Sequence, residues 1–201
     1  KHEKLRELIE FPILFLGATP QNTPALYSLM NYADIKLGTW YPQGGMYKII
    51  EGMVSLATEL GVEIFYNQEV TGFQYNGNRI SHVNTTSAEY ETDVVVAGAD
   101  YQHVDQHLLA EEFRNYSSEY WEKRTMAPSS LIYYLGIDKK IDKLLHHTLF
   151  FDEDFNEHAK EIYEAPKWPT RPLLYTSAVS KTDPGCAPEG KENIFILIPV
   201  A

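Results

Sequence analysis

Two short runs of acidic and imidazole side chains have the composition of a cation site. Asp152, Glu153 and Asp154 are consecutive carboxylates, and His146-His147 is a pair of imidazoles. Acidic residues at a helix start also interact favourably with the positive end of the helix dipole, so the acidic run has a structural explanation as well. Adjacent residues of a strand point to opposite faces, so we do not expect both histidines to chelate one ion. We predict no metal site.

A turn-rich loop, TDPGCAPEG at 182–190, carries two further carboxylates, Asp183 and Glu189, and Lys191 follows it. Polar residues in such loops usually lie on the surface of turns. Cys186 in the same loop is the only cysteine of the sequence. It excludes an internal disulfide and a zinc site built from several cysteines.

A double glycine, in the segment Pro42-Gln43-Gly44-Gly45, separates a strand-like stretch from an amphipathic pattern. Glycines here allow a close approach of the backbone to a ligand, and free N–H groups at a helix start favour anionic or polar partners. A tight turn from strand to helix is the alternative explanation. The sequence contains no GxGxxG, P-loop, GxSxG or HExxH motif.

The residues after the double glycine repeat at helical spacing. Apolar side chains in this pattern form one stripe and predict a helix over 45–60 that packs through the stripe. Gly61 suits the left-handed conformation that ends a helix, and a strand is expected to follow. The stripe consists of Met46, Ile49, Ile50, Met53, Leu56, Ala57 and Leu60, and the strand contains Val62, Ile64 and Tyr66.

The rest of the chain contains further predicted helices and strands. Thr23 before Pro24 marks a helix start with Thr as the cap, and Asp154 starts a helix that resembles a capping box. Asn76-Gly77 predicts a hairpin with a type I′ turn. Other helices are predicted at 3–16, 101–110 and 116–125, and strands at 131–137, 148–151, 173–179 and 193–200.

Val94 to Ala97 form a continuous apolar run without polar alternation. A strand of this composition is typically buried on both faces, as in the middle of a parallel sheet. The chain offers few strand–helix–strand units to build that sheet. We therefore expect the other strands to lie outside these 201 residues, although a mixed sheet covered by the chain's own helices is an alternative.

Charge and hydropathy exclude several functions. The 201 residues are 44% hydrophobic and carry a net charge of −11, so the chain lacks the basic surface that nucleic acid or an anionic membrane requires. No apolar run reaches the roughly 18 residues of a membrane span, and no signal-peptide pattern is present. We expect a cytoplasmic protein. The start KHEKLRELIE, without Met, is what a fragment or a processed chain would show.

Taken in order, these segments resemble the flavin-dependent carotenoid (phytoene) desaturases, a branch of the amine-oxidase-like flavoproteins. GATPQNTPALYSLMNYADIKLGTWYPQGG resembles the stretch that leads into the family's double-glycine helix, and IIEGMVSLATELGVEIFYNQEV continues it. DVVVAGAD resembles the strand that returns to the flavin domain. LIYYLGID, LLHHTLFF and TDPGCAPEG before ILIPVA resemble later blocks of the family.

The resemblance implies an α+β (mixed α/β) fold. Residues 1–61 and 101–201 would form a substrate domain with a mixed β-sheet and helices. Residues 62–100 would form a β-meander and a strand of an FAD-binding domain that is otherwise missing. The family's N-terminal dinucleotide-binding unit and C-terminal flavin segment have no counterpart in the sequence. We therefore expect FAD in a longer parent protein, and an isolated fragment that is inactive and binds none.

The resemblance also implies an activity for the parent, in which hydrogens leave a long lipophilic polyene precursor and hydride passes to the flavin. Peripheral association with membranes would suit such a substrate. Two other functions stay open. The parent could be another amine-oxidase-like flavoenzyme, such as an amine oxidase, a carotene isomerase or a retinoid saturase, or the chain could be a binding domain without a cofactor. A fragment with uncovered apolar faces is also expected to self-associate.

Site residues follow from the same resemblance. Asp183 and Glu189 are candidates for contacting the substrate or orienting a proton relay, and the catalytic residues stay unassigned. The residues expected near FAD are Glu69, Val70, Gly98, Ala99 and Asp100. The residues expected beside the substrate cavity are Gly44, Gly45, Tyr133, Phe150, Tyr175 and Phe195.

Overall fold

The computed structural model describes residues 2–201, apart from the side chains of Leu14 and Phe15. The helices are α1 (Glu3–Glu10), α2 (Leu29–Tyr32), α3 (Tyr47–Glu59), α4 (Tyr101–His103), α5 (Ser118–Lys123) and α6 (Phe155–Tyr163). The strands are β1 (Val70–Asn76), β2 (Arg79–Thr85), β3 (Glu89–Glu91), β4 (Ser129–Ile137), β5 (His147–Phe150), β6 (Leu174–Ser177) and β7 (Glu192–Val200). Short 3-10 and π-helical turns extend several of the helices.

The chain forms two compact units. Unit 1 contains the residues up to Leu56 and those from Ala127 onwards, and unit 2 contains Ala57–Met126. These limits differ from the division at 61 and 100 that the resemblance implies. The assignment of 62–100 to a flavin domain stays a prediction.

Unit 1 is built on a four-stranded sheet with the strand order β4-β7-β6-β5. The α+β class is confirmed, and each neighbouring pair of these strands is antiparallel where a mixed sheet was expected. Directly paired residues of neighbouring strands lie on the same face, and alternate residues along a strand also share it. The register therefore places Tyr134, Phe195, Ser177 and His147 on one face.

The start of α6 confirms a sequence prediction. The carboxylate of Asp154 accepts hydrogen bonds from the backbone N–H groups of Asn156 and Glu157, at 2.8 and 3.1 Å. Such a cap satisfies two donors that the first helical turn leaves without partners. The helix then buries Phe155 and Ile162, as its apolar pattern predicts.

Around α6 lies the main hydrophobic core of unit 1. Phe155 and Ala159 pack with Phe11 and Leu173, and Phe151 packs its ring edge against Phe11 at a centroid distance of 5.3 Å. Complete burial of a side chain as large as Phe155 stabilises the fold by about 1.5–3 kcal/mol.

The buried His158 of α6 forms hydrogen bonds to two other segments of unit 1. Its Nδ1 accepts a hydrogen bond from the backbone N–H of Leu173 at 3.1 Å, and its Nε2 lies 3.0 Å from the carbonyl oxygen of Pro199. An N–H donor facing Nδ1 requires that atom to be unprotonated, so Nε2 carries the proton. Burial lowers the pKa of His158, and the imidazole is neutral near pH 7.

The predicted helix after the double glycine is confirmed as α3, but its predicted packing is wrong. None of the residues of α3 is buried, and Ile49 and Met53 are 47% and 64% exposed. An apolar stripe indicates that one face of a helix favours burial. It does not show which other part of the protein packs against that face. Gly61 has φ 82° as predicted, and hydrogen bonds from Gly61 N–H to Thr58 O and from Val62 N–H to Ala57 O close the helix.

The predicted hairpin of unit 2 is present, with the turn one residue later than expected. Asn76 pairs with Arg79, so Gly77 and Asn78 are the central residues. Of these two, Gly77 alone has a positive φ, of 60°. This pattern fits a type II′ turn in place of the predicted type I′. β3 then pairs with β2 and completes an antiparallel meander.

Two apolar segments of unit 2 differ from their predictions. Residues 62–66 and 94–97 were expected to form strands, but neither segment pairs with another strand among residues 2–201. Val94 and Val96 are 76% and 91% exposed instead of buried on both faces. Because an apolar run does not say which strands flank it, the pattern indicated a preference for burial that the described chain does not satisfy.

The helix start at 23–24 also needs correction. Pro24 takes the cap position of the 3-10 turn Ala25–Ser28, and the hydroxyl of Thr23 donates backwards to the carbonyl oxygen of Thr19 at 2.8 Å. Pro24 has an extended ψ of 139°, so the helical turn begins after it and Thr23 is too far away to cap it. None of the helices within residues 2–201 is long and apolar enough to cross a membrane.

Candidate functional site

An open concavity of about 690 Å³ lies along the end of the unit 1 sheet. Here we call it the groove. The side chains of Tyr134, Phe195 and Tyr175 supply aromatic surface, and Met46 and Val179 supply aliphatic surface. The full set of lining residues is Tyr41, Met46, Tyr134, Leu135, Gly136, His146, His147, Tyr175, Ser177, Val179, Asn193, Ile194 and Phe195. Such a surface suits a lipophilic ligand with few polar atoms.

A row of rings forms one part of the groove. The ring of Tyr41 packs edge-on against His146 at 5.0 Å, and the rings of His146 and His147 are stacked at 4.3 Å. A hydrogen bond of 2.5 Å joins His147 Nδ1 to the hydroxyl of Tyr175, and another of 2.6 Å joins His146 Nδ1 to the hydroxyl of Thr182. The prediction that the two histidines point to opposite faces is wrong. His146 precedes β5, so the alternation of side chains along that strand does not apply to it.

Stacking at this distance does not make the two histidines a metal site. Within residues 2–201, no group of three or more His, Cys, Asp or Glu side chains is placed to hold a metal ion. The acidic run at 152–154 is used differently, since Asp154 caps α6 and Glu153 forms an ion pair of 3.5 Å with Arg171.

Two side chains of the ring row, Tyr41 and His147, favour their neutral forms. Burial, together with the neighbouring His146, lowers the pKa of His147. Burial and the contact with Cys186 raise the pKa of the Tyr41 phenol. Both shifts stabilise the uncharged form near pH 7. The groove therefore offers hydrogen-bonding atoms without a net charge at these two residues.

Asp183 is buried and not on the surface, in contrast to the expectation for a turn residue. It is 4% exposed, and its carboxylate accepts hydrogen bonds from the backbone N–H groups of Gly44 at 2.7 Å and Gly185 at 3.1 Å. The Gly44 hydrogen bond is the main cause that lowers the pKa of Asp183. Glu189, the other candidate for a proton relay, is exposed. The loop therefore brings Asp183, and not Glu189, to the double-glycine turn.

The four sheet aromatics proposed for the cavity do not share one face. Tyr175 and Phe195 line the groove, whereas the register places Tyr133 and Phe150 on the opposite face. Tyr134, next to Tyr133, lines the groove in its place. The alternation within each strand was evident, but the faces of different strands are related only through the pairing register.

Gly44 and Gly45 lie between two lining residues, Tyr41 and Met46. Both glycines have positive φ, 87° and 100°. The sequence interpretation missed Tyr41 and considered His146 and His147 only as metal ligands. The position of Tyr41, three residues before the double glycine, was the available signal.

The residues expected near FAD all lie in unit 2. Gly98, Ala99 and Asp100 are exposed, and a Cβ added to Gly98 would contact nothing within 4 Å. Asp100 Oδ1 already accepts a hydrogen bond from the His103 N–H at 2.8 Å as the cap of α4. Glu69 and Val70 are likewise exposed. Within residues 2–201 these residues do not enclose a flavin, and the five assignments stay predictions.

Comparison with known proteins places these features in a family. Residues 1–198 match the model of the flavin containing amine oxidoreductases. The chain is 36% identical over 201 residues to carotenoid 3,4-desaturase from Haloarcula japonica, covering 100% of this chain and 41% of that protein. It is 34% identical over 197 residues to 4,4′-diapolycopene oxygenase from a Methylomonas species, covering 96% and 39%.

A third relative is zeta-carotene-forming phytoene desaturase from Myxococcus xanthus, which is 32% identical over 199 residues and covers 98% of this chain and 38% of that protein. The chain thus spans 38–41% of the length of these three relatives. Because the family model matches 198 of 201 residues, the chain belongs to the flavin containing amine oxidoreductase family.

Proposed function

We propose that the protein to which this chain belongs is an FAD-dependent desaturase of a carotenoid-type polyene. The observation that supports it is the groove, whose aromatic and aliphatic lining, with neutral Tyr41 and His147, suits a long hydrocarbon chain. The names of the relatives from Haloarcula japonica and Myxococcus xanthus support the reaction class. FAD, when bound, supplies the acceptor for hydride removed from carbon.

The contribution of this chain would be to bind and orient the substrate. Phe195, Tyr134 and Tyr175 remove water from a hydrocarbon chain, and each Å² of apolar surface that leaves water contributes about 25 cal/mol. The hydrogen bond between His147 and Tyr175 satisfies polar atoms that would otherwise be left beside an apolar ligand.

A cellular assay tests the proposal. The complete reading frame that contains these residues is expressed in a bacterial strain that accumulates phytoene, and pigments are separated and identified by their absorption spectra. We expect products with longer conjugated chromophores. Oxygenated products would instead support an activity like that of the diapolycopene oxygenase relative. If the protein purified from these cells contains FAD but the phytoene is unchanged, the desaturase proposal is contradicted for this substrate.

Adjacent tyrosines of β4 provide a matched pair of variants. Tyr134→Ala removes an aromatic surface from the groove, whereas Tyr133→Ala removes the same side chain from the opposite face. We expect the first to lower product formation and the second to leave it nearly unchanged. An equal loss of product formation in both variants would show that the activity does not depend on the groove.

We also propose cytoplasmic localisation with peripheral contact to membranes, where a lipophilic polyene concentrates. Exposed apolar side chains such as Leu26, Ile35 and Trp40 support such contact. Co-sedimentation with phosphatidylcholine vesicles tests it. The proposal is contradicted if the complete protein stays in the supernatant at all lipid concentrations.

A further inference from the structure

One carboxylate joins two distant segments of unit 1. Asp183 Oδ2 accepts a hydrogen bond from Gly44 N–H at 2.7 Å, across 139 positions of sequence. Its Oδ1 accepts from Gly185 N–H at 3.1 Å within its own loop. Hydrogen bonds to an ionised acceptor are among the stronger ones in proteins, and Asp183 is nearly excluded from solvent. The double-glycine turn is therefore held by the loop 182–190.

The turn in question has a conformation that few residues adopt. Gly44 and Gly45 both have left-handed φ values, and a Cβ at Gly44 would lie 3.1 Å from Cε of Lys48. Glycine loses more freedom on folding than other residues, so two consecutive glycines make a mobile turn unless something holds them. The carboxylate of Asp183 is in position to do so.

The double-glycine turn affects the position of Tyr41, which lines the groove. Tyr41 precedes the two glycines, and its ring packs edge-on against His146. Its hydroxyl lies 3.8 Å from Sγ of Cys186, in the same loop as Asp183. Tyr41 is thus located by the turn on one side and by the loop on the other, and it begins the row that continues to His147 and Tyr175.

We propose that Asp183 is a positioning residue for the polyene groove, which acts by holding the Gly44–Gly45 turn so that Tyr41 stays against His146. Asp183 does not touch the ligand. This inference rests on the proposed function, because it takes the groove to be the polyene site, and it assigns Asp183 a role different from a proton relay.

Binding of 1,6-diphenyl-1,3,5-hexatriene, a fluorescent hydrocarbon polyene, to the complete protein that contains this chain tests the inference. We expect Asp183→Ala to weaken binding about tenfold, as loss of charged hydrogen bonds behind a binding wall would do. Asp183→Asn keeps one carbonyl acceptor and should retain part of the affinity. Asp142→Ala, which removes an exposed carboxylate of unit 1 outside the groove, is the matched control and should bind like the wild type.

A double-mutant cycle separates positioning from general destabilisation. If Asp183 acts through Tyr41, the variant carrying both Asp183→Ala and Tyr41→Ala should bind no more weakly than Tyr41→Ala alone. Losses that simply add, or a loss in Asp142→Ala equal to that in Asp183→Ala, would overturn the inference. All titrations are made well below the unfolding temperature of each variant.

The two proposals fail in different ways. If the wild type does not bind the probe, or binds it with unchanged affinity after Tyr134→Ala, the groove is not a polyene site and both proposals fall. If the wild type binds, Tyr134→Ala weakens binding and Asp183→Ala does not, only the role of Asp183 is overturned.

Discussion

The carboxylate of Asp105 accepts a hydrogen bond from the indole Nε1–H of Trp121 at 3.0 Å. Asp105 is fully buried in unit 2, and it also accepts from the backbone N–H of Asn115 and the side chain of Gln106, both at 2.8 Å. Burial alone would raise the pKa of Asp105, but these hydrogen bonds, led by that of Trp121, lower it to about 2. The ionised carboxylate therefore links the helical turn Val104–Leu108 to α5.

Replacement of Asp105 by Asn should destabilise unit 2. The amide keeps one acceptor and places an NH₂ group where donors converge, and hydrogen bonds to charged groups contribute about 1.5–3 kcal/mol each. We expect a lower denaturation midpoint in urea, followed by Trp fluorescence. Asp93→Asn, at an exposed position of the same unit, is the control. Equal midpoints for the two variants would contradict the role assigned to Asp105.

Acid should remove the contribution of Asp105. Its folded pKa of about 2 lies below the ordinary value of about 3.9 for Asp. A depressed pKa stabilises the fold fully above the unfolded value, and the stabilisation is lost as the pH falls from about 4 through 2. The difference in midpoint between the wild type and Asp105→Asn should therefore be constant above pH 5 and shrink towards pH 2.

His158 should make unit 1 sensitive to milder acid. Its pKa is lowered by burial, so below the ordinary value of about 6.5 the unfolded chain binds a proton that the folded chain does not. Stability is complete above that pH and declines as the pH falls towards the folded pKa. His158→Gln offers a similar donor and acceptor without a titrating group.

The measurement is thermal unfolding between pH 5 and pH 8. We expect His158→Gln to be less stable than the wild type at pH 8, because its amide fits the Leu173 and Pro199 groups less well, but to lose less stability on acidification. A parallel decline in both proteins would show that other groups control the response.

Substitution of two isoleucines compares an exposed helix face with a buried one. Ile49 in α3 is 47% exposed and Ile162 in α6 is 4% exposed. In this chain, Ile49→Asp should change the free energy of unfolding by no more than about 0.5 kcal/mol, as surface substitutions usually do. Ile162→Asp places an unpaired charge in the core and should cost several kcal/mol, roughly 3 or more.

Thermal unfolding of the two variants provides the comparison. A stripe packed as the sequence predicts would make Ile49→Asp costly, and the exposure of the α3 stripe reverses that expectation. A loss of several kcal/mol in Ile49→Asp would show that the stripe is covered in solution.

Local signals in the sequence predicted much of the secondary structure. The cap at Asp154, the end of α3 at Gly61 and the hairpin near Gly77 depend on residues within a few positions of one another. Their errors are small, such as the one-residue shift of the hairpin turn. Such features are set by short-range sterics and hydrogen bonds.

The groove depends on relationships that no local pattern contains. Tyr134 and Phe195 come together through the register of β4 and β7, and Asp183 meets Gly44 across 139 positions. A shift of one residue in the register would exchange the faces, so Tyr133 and Phe150 could not be separated from the lining residues beforehand. For the same reason the burial of Asp183 was not foreseen.

Self-association is the last property that we predict. Val94 and Val96 are strongly exposed, and their segment has no strand partner among residues 2–201. Unpaired backbone groups beside exposed apolar side chains favour pairing with another chain, so we expect dimers or larger species in light scattering over a concentration series. Val96→Lys should shift the series towards monomer, because a charge opposes this pairing. Asn78→Lys, which adds the same charge at an exposed turn of unit 2, should not. A wild type that stays monomeric up to about 100 μM, where contacts worth about 5–6 kcal/mol would already be visible, would show that these valines do not form an interface.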